Sequence, residues 1–111
     1  MTAEVLPHFV EAVLAGHQRT YGYYAQKIGR DPATESIAIG PVMHLIGAIC
    51  VFRRIPIAPL YYVTRADGEP RNIFAADPLE SRYVLPHFDT LYIAAREYKY
   101  GSVEFQVGCR A

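Results

Sequence analysis

An α+β fold, mainly helical, is what this 111-residue sequence predicts. Apolar residues recur at helical spacing through most of the first 54 positions. Thr20, Gly29 and Asp31-Pro32 punctuate that stretch with residue types that start and stop helices. Beyond Arg53-Arg54 the texture changes to β-forming residues around an Asp67-Gly68 turn.

The first element is "AEVLPHFVEAVLA", with Val5, Phe9, Ala12 and Val13 on one stripe and Gly16 as its stop. Pro7 is tolerated in a first helical turn, so the helix is expected to begin near Leu6. Thr20 then caps a second helix, "YGYYAQKIG", which Gly29 ends. Gly22 weakens that helix by about 1 kcal/mol relative to alanine. After the "GRDP" turn, Asp31 is expected to cap the next element with Pro32 at its first position.

The run "ATESIAIGPVMHLIGAICVF" places Ile39, Val42, Met43, Ile46, Ile49 and Cys50 on one stripe. The small or polar residues Ser36, Gly40, His44 and Gly47, with Arg54, form a second stripe, read here as the opposite one. Proline inside a helix costs roughly 3 kcal/mol, so a kink or restart is expected at Pro41. "LYYVTR" reads as a strand, "ADGE" as a turn and "RNIF" as the strand returning in a hairpin. Alternation would put Tyr61 and Tyr62 on opposite faces of that strand. "DPLESRY" suggests a short helix, and "DTLYIAAREYKY" fits helix or strand. The order is that of a winged helix-turn-helix with a small β-hairpin wing and extra C-terminal elements, one domain over residues 1–111.

Composition bounds the function classes. Apolar residues make up 51% and charged ones 20%, which excludes disorder. Eleven basic and eleven acidic side chains cancel, so no global field advertises a nucleic acid or membrane. From His17 to Arg71, seven Lys/Arg face four acids, a modestly basic middle that permits phosphate contact. Cys50 and Cys109 match no metal or redox spacing, and the four histidines match no ligand pattern. No carboxylate pair, nucleophile elbow or phosphate loop appears, so neither catalysis nor a cofactor is expected. No signal peptide or membrane span is read, and a cytoplasmic setting is the expectation.

Two stretches carry a family resemblance. "RTYGYYAQKIGRDPATESIAIGPVM" resembles the helix-turn-helix of the alkylguanine-DNA alkyltransferases and alkyltransferase-like proteins. "IAPLYYVTRADGE" is similar to their Pro-Cys-His-Arg-Val loop and the turn that follows it. The likeness covers roughly residues 18–70. It implies a winged helix that binds DNA, with Tyr21 at the family's nucleotide-rotating tyrosine. Leu60 stands where the family has its alkyl-accepting cysteine, and Tyr61 and Tyr62 replace His and Arg. Ile37 stands where the family's helix arginine would be. Alkyl transfer needs a thiolate, so none is expected through Leu60.

On that scaffold the candidate nucleic-acid contacts are Tyr21, Lys27, Arg30, Ser36, His44, Arg53, Arg54, Tyr61, Tyr62 and Arg65. The cations would meet phosphates, and exposed tyrosines would stack on bases at roughly 1–3 kcal/mol each. Double-stranded DNA is the expected partner, with a protein partner or a homodimer as the alternative. The alternative function is a protein–protein adaptor or inhibitor on the same scaffold, which tyrosine and arginine enrichment also suits.

Overall fold

The computed structural model describes residues 1–68, 87–101 and 105. Helix α1 (Thr2–Ala15) leads through strand β1 (Arg19–Thr20) into α2 (Tyr21–Lys27). A 3-10 turn (Ser36–Ala38) precedes α3 (Ile39–Phe52), followed by the short α4 (Pro59–Tyr62), β2 (Val63–Thr64) and α5 (Phe88–Glu97). The fold is α+β and mainly helical, with β1 and β2 forming a two-stranded parallel pair in the register Arg19 with Val63 and Thr20 with Thr64.

Capping residues behave as their chemistry dictates. Thr20 Oγ1 accepts a hydrogen bond from the Tyr23 N–H at 3.0 Å and starts α2. Gly16 and Gly29 end α1 and α2 in the left-handed region, at φ 74° and 80°. Each closes the same pair of bonds: His17 N–H to Ala12 O with Gly16 N–H to Val13 O, and Arg30 N–H to Ala25 O with Gly29 N–H to Gln26 O. Gly22 has a different reason to be small. A Cβ there would lie 3.2 Å from the Pro32 Cβ, so the turn after α2 packs directly on its first turn.

Several expectations are corrected. Helix α1 begins at Thr2 rather than near Leu6, leaving Pro7 inside it. The extra turn carries Val5 under Phe9 into the core, and burying such a side chain is worth about 1.5–3 kcal/mol, which offsets the proline. Asp31 holds a single turn instead of a helix: its Oδ1 accepts from the Ala33 N–H at 2.9 Å and its Oδ2 from the Thr34 hydroxyl at 3.2 Å. The restart expected at Pro41 occurs at Ile39, which puts Pro41 in the first turn, where no N–H is required.

The largest correction concerns the wing. Tyr61 and Tyr62 do not lie on a strand; Pro59 opens a helical turn in which the N–H groups of both tyrosines bond to Ala58 O at 3.0 Å. Strand β2 starts only at Val63, and it pairs in parallel with the segment ahead of α2. The return strand expected over residues 71–74 and the helix expected over 77–83 lie outside the described residues. The segment left open between helix and strand is helix α5.

The core is one cluster built from α1 (Val5, Phe9), α2 (Tyr24, Ala25) and α3 (Ile39, Met43, Ile46, Cys50), joined by Val63 and Phe105. A smaller cluster sets Ile57 and Leu60 against Phe88 and Leu91 of α5. Aromatic rings run unbroken through both ends of the molecule, Phe88, Tyr92, Tyr61, Tyr62, Tyr100, Phe105, Phe9, Tyr24 and Tyr23, at centroid spacings of 4.8 to 6.1 Å. Neighbours at such distances gain about 0.5–1.5 kcal/mol per pair beyond area burial. Most of the nine tyrosines are therefore accounted for by packing.

Candidate functional site

Helix α3 sets the site because its faces differ in chemistry. At 3.6 residues per turn each residue advances 100°, so Ile39, Val42, Met43, Ile46 and Cys50 cluster around one direction, and all are buried. Ser36, Gly40, His44 and Gly47 lie about a quarter-turn away rather than opposite. Accordingly Gly47 is buried, and Ser36, Gly40 and His44 are half-buried. Ile49, expected in the core, is also half-buried.

Directly opposite the core stand Pro41, Leu45, Ala48 and Phe52, with Ile37 extending the line from the preceding turn. Ile37 is 78% exposed, Leu45 50% and Phe52 85%, and neighbouring Val51 is 52% exposed. This is the reverse of an amphipathic surface helix, whose outward face is polar. Contiguous exposed apolar side chains of this kind mark interaction surfaces in soluble proteins.

The ten residues named as nucleic-acid contacts divide among separate places. Tyr21, Ser36 and Arg65 line a cleft of about 550 Å³ with Gly22, Pro32 and Ile37. Arg53 and Arg54 lie at the far end of α3, about 21 Å away along a 14-residue helix. Tyr62 is buried and Tyr61 half-buried, each engaged in the aromatic run, and neither lines the cleft that Tyr21 borders. Gln18 donates its amide N–H to Tyr61 O at 3.0 Å, fixing that turn.

The cations are dispersed and partly occupied. Arg30 pairs with Glu35 at 2.9 Å and Arg65 with Asp67 at 3.5 Å. Lys27 Nζ sits 5.6 Å and Arg19 Cζ 4.7 Å from the Tyr23 ring centroid. His44 is half-buried on the flank of α3. Among the described residues no three His, Cys, Asp or Glu side chains gather as a metal site would require, and no helix is long and apolar enough to cross a membrane.

Leu60, at the position of the reactive thiol in the resemblance, is fully buried beneath Phe88 and Leu91. Burial also governs the phenols: it pushes Tyr24 far above the ordinary tyrosine range, with the Tyr23 phenol adding to the effect. Tyr62 is raised for the same first reason, and then by Tyr61.

Two features at the end of α3 were missed in the sequence. Arg54 adopts φ 59°, a left-handed conformation that costs a non-glycine residue about 1–2 kcal/mol. It closes the helix as the glycines do elsewhere, with Ile55 N–H to Cys50 O and Arg54 N–H to Val51 O, both 3.0 Å. Beside it an apolar groove of about 440 Å³ runs between Val51, Ile55 and Pro56 on one side and Leu91 and Ala94 of α5 on the other. Position counting at 100° per residue would have found the exposed apolar line; nothing local in the sequence announces the strained arginine.

Comparison with protein-family models, with characterised proteins and with solved structures gave no match.

Proposed function

We propose that this chain is a protein–protein interaction module, an adaptor or inhibitor, that docks through the outer face of α3. The observation that carries the reading is the line Ile37, Pro41, Leu45, Ala48, Phe52, which points directly away from the core. Near-neutral charge suits docking on a protein better than on a polyanion. A groove-reading helix would need polar side chains on this face, and none of these five can hydrogen-bond a base edge.

A photo-crosslinking residue at Leu45, used in cells that express the protein, tests the proposal. A discrete protein adduct is expected from Leu45 and none from Gln26, which is exposed on α2. Equal, smeared labelling at both positions sinks the reading.

A second reading is binding of double-stranded DNA by a winged-helix relative of the alkyltransferase-like proteins, without alkyl transfer. The cleft that joins Tyr21, Ser36 and Arg65 favours it. Duplex binding followed by fluorescence anisotropy should weaken with salt and with Lys27→Glu or Arg54→Glu. A flat response at micromolar protein in low salt removes this reading.

A further inference from the structure

We infer that the outer face of α3 pairs with a second copy of this chain, the two helices running antiparallel across a twofold axis near Leu45. This rests on the reading of α3 as a docking face and names its occupant. Spacing is the first argument. The exposed line alternates bulk, with Ile37, Leu45 and Phe52 separated by the smaller Pro41 and Ala48. Reversed, the order of large and small is unchanged, so an antiparallel copy sets Phe52 against Ile37, Ala48 against Pro41, and Leu45 against Leu45. A patch that is complementary to itself in this way is what a twofold interface requires.

Charge is the second argument, and it fixes the direction. No charged residue occurs from Ser36 through Phe52. Arg30, Asp31 and Glu35 precede the N-terminal end, which is net acidic by one charge with Glu35 paired to Arg30 at 2.9 Å, while Arg53 and Arg54 follow the C-terminal end. Antiparallel pairing brings the acidic end of each copy to the basic end of the other, twice by symmetry. Parallel pairing would set arginines against arginines and acids against acids. The helix dipoles favour the same arrangement.

Geometry agrees at the ends. Phe52 of one copy arrives at Ile37 of the other, which lines the 550 Å³ cleft with Pro32 and Ala33, so an exposed ring meets a concave, largely apolar wall. Arg54, just past this end of the helix, would meet Glu35 of the other copy in competition with the Arg30–Glu35 pair. A single helix face is small beside a standard interface, so affinity on the order of 1–100 μM is expected.

Sedimentation equilibrium of the full chain across that concentration range provides the test. The wild-type protein is expected to dimerise, and Phe52→Glu to raise the dissociation constant at least 100-fold with an unchanged circular dichroism spectrum, since Phe52 supports no core contact. Arg54→Glu alone should weaken the dimer about tenfold, and the double variant Glu35→Arg/Arg54→Glu should recover most of it, because only antiparallel pairing exchanges those two ends. A monomer throughout, a dimer indifferent to Phe52→Glu, or no recovery in the double variant overturns the inference. If the protein is monomeric while Leu45 still crosslinks to a different protein, self-association fails and the docking face stands. If it is monomeric and Leu45 captures nothing discrete, both fail.

Discussion

Replacing Leu60 with alanine asks whether α5 seals the corner of the fold where the family resemblance would place a reactive thiol. Leu60 is fully buried, and it packs with Ile57, just ahead of α4, against Phe88 and Leu91 of α5. Truncating a buried leucine costs about 2–5 kcal/mol through lost transfer energy and the cavity left behind; about 3 kcal/mol is a central value. Unfolding entropy of about 2.1 cal/mol/K per residue gives a chain of this length about 230 cal/mol/K. The midpoint of thermal unfolding, Tm, should therefore fall by about 13 °C, read from the loss of helical circular dichroism. A fall under about 4 °C, near 1 kcal/mol, would mean that Leu60 lies against solvent and that the packing of α5 described above is wrong. The companion variant Leu60→Cys, in a Cys109→Ser background, should react with a water-soluble thiol reagent only after denaturant is added.

Pro7→Ala should stabilise the fold by about 2 kcal/mol: an exposed proline interior to α1 is removed, less roughly 1 kcal/mol of regained freedom in the unfolded chain, and urea titration reports the difference. Arg54→Gly should raise Tm by about 4 °C by relieving the positive φ, yet weaken self-association in the sedimentation experiment. Gly22→Ala should fail to deliver the usual gain of about 1 kcal/mol, because the new Cβ presses on Pro32; a full gain in urea would show that the Asp31 turn yields. Tyr24 titrates above its unfolded value because burial disfavours the phenolate. Its contribution is fully present below pH 10 and is lost as pH rises beyond, at about 1.4 kcal/mol per pH unit for one retained proton. Tyr24→Phe should flatten that alkaline loss in denaturation curves taken from pH 9 to 11.

Local chemistry was legible where one residue decides. Thr20, Gly16 and Gly29 act within a single turn, and the core stripe of α3 follows from spacing alone. Two misreadings have specific causes. Tyr61-Tyr62-Val63 carries strand propensity, but Pro59 pre-sets a helical first turn, and burial of Leu60 and Tyr62 on either side overrides a preference worth at most about 1 kcal/mol. The small-residue stripe of α3 has the composition of an outer face, whereas its angular offset places it at the rim. That offset leaves Ser36 and His44 half-buried, while Leu45 and Phe52 face outward. Val63-Thr64 lies within the segment that reads as a strand, but its partner Arg19-Thr20 is too short to show a period.

That short ladder has a kinetic meaning. Joining Arg19 to Val63 closes a loop whose entropic cost grows as the logarithm of its length, about 3.3 kcal/mol for this separation before any constant is added. Two residues of parallel pairing cannot offset that cost unaided, so the ladder forms after α1, α2 and α3 have packed and drawn its strands together. The same order is expected to run backwards in the native state, the two-residue ladder opening ahead of the packed α1, α2 and α3 and parting Tyr21 from Arg65 across the cleft they line. The cleft between them behaves as a seam, and amide exchange at Val63 and Thr64 should outpace exchange at the centre of α3.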